Sequence, residues 1–314
     1  MTSDVEMPDA ILSDESSFYG DDDTKAELEN RVASHDGRAD WLEFQTNSLA
    51  VVAHNALHPY GSQNVDKDRD ISKLSRKQPH PHDGKEYCWQ VAEPIDEFIN
   101  RLRPSQADAD TIGPWIRVRN PFFDENVDLP DRNVAAFMSR GRELLEDFEE
   151  QKSTMEAEYA KSRASSTAPL TRKLNVMRKE LEKNLLATAR KYGAVVGKWM
   201  FFEPPDRVDD YWATIAAATA RGDLCIEAKV ATDSNKRPSP AKRDRLICVY
   251  TRDCEDKDDV RHVMERLVEL GLVRKGERPI YYKCDAWTYL DIKANNPWGL
   301  KASMYSSKDV LQGK

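Results

Sequence analysis

The chain has 314 residues and a formal charge of −8, a length that holds one large domain or two small ones. The charge is uneven: ten acids (Asp4, Glu6, Asp9, Asp14, Glu15, Asp21, Asp22, Asp23, Glu27 and Glu29) face one base, Lys25, in residues 1–30, leaving the other 284 residues at +1. An acidic total therefore does not exclude an anionic partner. The sequence has no run of about 18 apolar residues and no basic-then-apolar leader, which argues against membrane-spanning and secreted classes.

Residues 1–30 bear too much charge and too few large apolar side chains to offset their ordering entropy, and are expected to be a disordered tail. From Gly61 to Gly84 the chain is polar and turn-rich, reading as a loop. His80 and His82 fall there without two further ligands at workable spacing, so no metal site is expected. Glu86–Val91, with Trp89, is a short strand candidate. Pro94 opens a helix with Ile95, Phe98, Ile99 and Leu102 on one side, and Pro104 closes it. Trp115–Arg119 alternates apolar and polar residues, the period of a half-buried strand.

A long helical pair is expected over 132–192. Its first member carries Phe137, Leu144, Phe148, Met155 and Tyr159, and its second Leu170, Leu174, Met177, Leu181, Leu185 and Tyr192. Opposite the second stripe lie Arg172, Lys179, Lys183 and Arg190, either a solvated face or a ridge for phosphate or an acidic protein partner. The remainder reads as strand (198–202), helix (208–221), hairpin (224–250), helix (258–270) and strand (279–283), with an irregular aromatic segment and a short tail from 306. The fold class is thus α+β, with one domain over 31–305. Five cysteines, an odd number with no C-x-x-C spacing, suit a reducing compartment.

The element order from 198 resembles the C-terminal half of the cap-binding translation initiation factor 4E. Gly197-Lys198-Trp199, Asp210-Tyr211-Trp212 and Tyr250-Thr251-Arg252-Asp253-Cys254-Glu255-Asp256 look like that family's strand and helix words. Phe18-Tyr19-Gly20, Gly113-Pro114-Trp115, Asn120-Pro121-Phe122, Trp287-Thr288-Tyr289-Leu290 and Asn296-Pro297-Trp298-Gly299-Leu300-Lys301 resemble the basophilic-leukaemia-expressed (Bles) proteins, a largely uncharacterised family within the cap-binding superfamily. The resemblance implies a curved antiparallel sheet with helices on one face, and by itself no activity.

Holding a methylated guanine cap takes two stacking rings, an acid for the guanine edge and bases for phosphate. By resemblance Trp115 falls at one ring and Trp89 is a candidate second, but Ile116 stands where the family has an acid. Trp199 and Trp212 match core tryptophans. Lys229 falls where the family has a phosphate-contacting Arg, and Lys236, Arg237, Lys242, Arg243 and Arg245 follow, the run from Lys236 to Arg243 also reading as a nuclear-import signal. Asn296, Trp298 and Lys301 either line a cleft or fasten an irregular tail. No P-loop, G-x-G-x-x-G or G-x-S-x-G is present. The expectation is a non-catalytic, cofactor-free binder of RNA or a nucleotide, cytoplasmic or also nuclear; the rival is a protein–protein adaptor with a degenerate ligand site.

Overall fold

The computed structural model describes residues 84–123, 132–162, 166–233, 244–274 and 276–313. The expected disordered tail, nearly all of the 61–84 loop and the bases Lys236, Arg237, Lys242 and Arg243 lie outside these residues. The architecture is α+β. In chain order the elements are α1 (Ile95–Arg101), α2 (Ala109–Ile112), β1 (Trp115–Arg119), α3 (Val134–Lys161), α4 (Ala168–Lys191), β2 (Gly197–Glu203), α5 (Val208–Ala220), β3 (Glu227–Ala231), β4 (Arg245–Thr251), α6 (Lys257–Glu269), β5 (Tyr281–Cys284), α7 (Asp285–Tyr289), β6 (Tyr305–Ser306) and α8 (Ser307–Leu311).

The six strands form one antiparallel sheet in the order β1-β3-β4-β2-β5-β6, not closed into a barrel. Period-2 alternation gives it two unlike faces. Ile116, Val118, Ala228, Val230, Ile247, Val249, Trp199, Phe201 and Tyr282 point to one side and are buried with Trp212, Ile215 and Met264 from α5 and α6. The indole N–H of Trp199 donates to the Val260 carbonyl at 3.2 Å, tying β2 to α6. Trp199 also meets Tyr282 edge-on at 5.2 Å between ring centroids. Trp199 and Trp212 are core residues, as the sequence suggested.

The Glu86–Val91 candidate contributes only a bridge. Cys88 runs parallel to Arg117, Trp89 N–H donates to the Arg117 carbonyl and Arg117 N–H donates to that of Tyr87. Helix α3 begins at Asn133, whose side chain accepts from Ala136 N–H. Its buried stripe is Phe137, Gly141, Leu145 and Phe148. Gly141 enters that stripe because Leu290 occupies the space beside it: an added Cβ would lie 2.8 Å from both Leu290 methyls. Helix α4 buries Leu174, Leu181, Leu185 and Ala189. Its Arg190 forks onto Asp253 at 2.9 Å and Glu255 at 2.8 Å, fastening the pair to the loop after β4. Beyond residue 305 the chain continues as α8, with Ser307 and Val310 buried. No helix among the described residues is long and apolar enough to cross a membrane.

Candidate ligand face on the open side of the sheet

The second face of the sheet holds the charged strand positions beside apolar ones, and it follows from the same alternation; at its centre Lys198, Cys248 and Tyr250 are buried. In β1 the outward residues are Trp115, Arg117 and Arg119, and their register partners in β3 are Ala231, Lys229 and Glu227. Lys229 sits opposite Cys248 and Glu227 opposite Tyr250 in β4. Those residues in turn oppose Met200 and Lys198 of β2, and Lys198 opposes Lys283 of β5. Five bases (Arg117, Arg119, Lys198, Lys229, Lys283) therefore share this face with a single strand acid, Glu227.

Each base is held differently, Arg119 over the Phe123 ring at 5.9 Å from its centroid. Arg117 pairs with Glu227 across the strands. Lys198, only 6 % exposed, pairs with Asp285 at the start of α7 and donates to the Thr288 hydroxyl at 2.9 Å. Lys283 donates to the Ile292 carbonyl at 2.6 Å. Lys229 has no carboxylate partner among the described residues. Its ammonium lies 4.1 Å from the centroid of the Trp115 ring and 5.4 Å from that of Tyr250. Lys198 approaches Tyr250 from the other side, at 5.7 Å.

Partial burial costs Lys229 hydration, and with Arg117 and Lys198 nearby it pushes the lysine below its usual pKa. Burial, then Lys198, acts on Lys283 in the same direction. Burial holds the Cys248 thiol up at about 11, so it stays neutral beneath this layer. The ring faces of Trp115 and Tyr250 offset part of what Lys229 loses in water. The resulting layer is cationic, incompletely neutralised and backed by aromatic rings, the chemistry that receives phosphate oxygens.

The other anticipated site residues fall elsewhere. Trp89 is 8 % exposed and belongs to the core cluster, and its indole N–H donates to the Glu93 carbonyl at 2.8 Å. It does not face Trp115 across the open side. Ile116 is fully buried, so the position after Trp115 points into the core and presents no group to a ligand there. The Asn296 amide donates to the carbonyls of Lys293 at 2.8 Å and Leu300 at 2.6 Å, and its oxygen accepts from Leu300 N–H at 3.0 Å. Trp287 N–H donates to the Lys301 carbonyl. Arg178 donates to the Trp298 carbonyl at 3.2 Å and Lys152 to that of Pro297 at 3.0 Å, so this segment fastens α3 and α4 to the fold. The Lys301 side chain is exposed.

Arg117, Lys198, Glu227, Tyr250, Lys283 and Asp285 were not anticipated as site residues. Within any one strand the first five read as ordinary alternating positions, Asp285 is simply the residue after β5, and only the pairing of β1, β3, β4, β2 and β5 brings them together. No group of three or more His, Cys, Asp or Glu residues among the described residues is arranged to hold a metal ion. The family model described as Basophilic leukemia-expressed protein Bles03 matches residues 28–291, and the chain belongs to that family.

Proposed function

We propose that this chain is a non-catalytic binding protein that holds a phosphate-bearing ligand, a nucleotide or RNA, on the open face of its sheet. The observation that carries the reading is Lys229: a partly buried ammonium without a carboxylate partner among the described residues, set 4.1 Å from the Trp115 ring. Lys229 and Arg117 receive phosphate oxygens, and Trp115 offers a ring edge or face to a base. The resemblance of the element order from 198 to that of cap-binding proteins supports the same location for a ligand. Five free, buried cysteines support a protein working in the reducing cytoplasm or nucleus.

A methylated cap base is a cation, and here it would meet Lys229 over the ring it needs. The reading therefore favours an unmethylated nucleotide or an RNA backbone. Tryptophan-fluorescence titration of the full chain with GTP, a methylated cap analogue and a short single-stranded RNA tests this. Quenching by GTP or RNA at least as strong as by the cap analogue, and lost in Trp115→Leu, is the expected result. Selective quenching by the cap analogue would refute it.

A second reading, a protein–protein adaptor, is favoured by one observation on α4. Val176, 69 % exposed, stands on the helix that also exposes Arg172, Lys179 and Lys183. Quenching by none of the three ligands at millimolar concentration would favour that reading.

A further inference from the structure

We propose that the acidic N-terminal segment of this chain, residues 1–30, docks on the cationic open face of its own sheet and competes there with the phosphate ligand. The inference rests on the function proposed above for that face. Three observations point to this occupant. The segment carries ten acids against Lys25, while the outward strand positions carry five bases, of which Arg117 is paired with Glu227 and Lys198 with Asp285. The face also has an apolar half, where Met200, Leu246 and Tyr281 are half-buried and Phe202 is 50 % exposed. In the segment, Phe18-Tyr19 is set between Glu15 and Asp21, so an apolar pair is flanked by acids as the apolar half of the face is flanked by bases.

Reach is sufficient. Gly84, where the described chain begins, hydrogen-bonds to Gln90, and Tyr87–Trp89 run beside β1 at the edge of this face. Residues 31–83 number 53, and the upper limit of their reach, about 3.3 Å per residue, exceeds the width of a sheet whose strands lie about 4.8 Å apart.

The exposed bases of α4 are the competing target. Arg172, Lys179 and Lys183 are solvated, so salt screens them strongly, and Arg190 is already committed to Asp253 and Glu255. Arg117 already holds Glu227, whereas Lys229 has no carboxylate partner among the described residues and lies in a less polarisable setting between rings and strands, where a carboxylate gains more.

The test uses the full chain, with Asp21→Asn/Asp22→Asn/Asp23→Asn as the variant and inorganic triphosphate as the probe. Three exposed charge contacts of ordinary strength predict about a three- to tenfold tighter triphosphate affinity for the variant at low salt, with the gap closing near 1 M salt. Zero-length carbodiimide cross-linking, read by mass spectrometry on the monomer, should join an acid of residues 1–30 to Lys229, and Lys229→Gln should remove that link. Links from the segment to Lys179 or Lys183 instead, or links only between two chains, would overturn the proposal, as would equal affinities for the two proteins. A Lys229 link in a protein that binds no triphosphate would support docking and refute the ligand reading, so the two fail separately.

Discussion

Replacing Lys229 with methionine separates a ligand-binding role from a structural one. Methionine keeps an unbranched stem of similar length against Trp115 and Tyr250, and removes only the ammonium. A hydrogen bond to a charged group contributes roughly 1.5–3 kcal/mol, so triphosphate or GTP affinity should fall about 10- to 150-fold. Stability should move the other way or stay level. Burial holds the folded-state pKa of Lys229 below that of the unfolded chain. The folded state therefore disfavours the charged form, and this unfavourable contribution is complete below the depressed value and gone above 10.5. Methionine removes that contribution at the cost of a cation–π attraction of about 0.5–2 kcal/mol. Isothermal titration calorimetry and thermal melting at pH 7 give both quantities. In the wild type, affinity should decline with rising pH earlier than for an exposed lysine, and the variant should lack that decline. Unchanged affinity with a sharply lowered melting temperature would refute the reasoning and make Lys229 a structural residue.

Three further substitutions probe the frame around the face. Gly197→Ala drives a Cβ into the Tyr282 hydroxyl oxygen, which is buried and hydrogen-bonded to Thr251, so thermal melting should show a loss of about 1–3 kcal/mol. A melt equal to wild type would mean that Tyr282 moves freely. Glu203 is 7 % exposed and paired with Arg207 at 2.8 Å; burial raises its pKa to about 7. A raised carboxyl pKa favours the protonated form in the fold, so its contribution to stability declines as pH rises from 4.5 through about 7. Glu203→Gln should flatten the denaturant midpoint over that window, and an unchanged slope would contradict the assignment. Asn296→Ala leaves Leu300 N–H and two carbonyls without their partner. It should cost about 1–3 kcal/mol by chemical denaturation while leaving triphosphate affinity unchanged, whereas a specific loss of affinity would return Asn296 to the ligand site.

Much of the fold was legible because its elements announce themselves locally. The alternation of Trp115–Arg119, the stop at Gly222 and the apolar stripe of α6 each fix an element within a residue or two. Helix α7 was missed because five residues, Asp285–Tyr289, cannot display a helical period. In α3 the stripe passes through Leu145, next to the expected Leu144, because small Gly141 lets Leu290 in.

The candidate face was half legible. Trp115 and Lys229 came from resemblance to cap-binding proteins, and the structure sets the lysine over the ring. Trp89 remained ambiguous because Tyr-Cys-Trp allows either side of a short strand to face inward, and its bridge to Arg117 is what decides. Lys198 and Lys283 lie 85 residues apart in sequence and become neighbours only when β2 pairs with β5. Strand register is a long-range property, and a sequence read locally does not contain it.

The most direct test of the phosphate-ligand account is the salt dependence of binding to a short single-stranded RNA, followed by tryptophan fluorescence from 50 to 500 mM salt. Two phosphate contacts, through Lys229 and Arg117, predict a slope of log affinity against log salt of about −1.4, falling to about −0.7 in Lys229→Met. A slope near zero, or one unaltered by the substitution, would contradict the claim that this face holds phosphate.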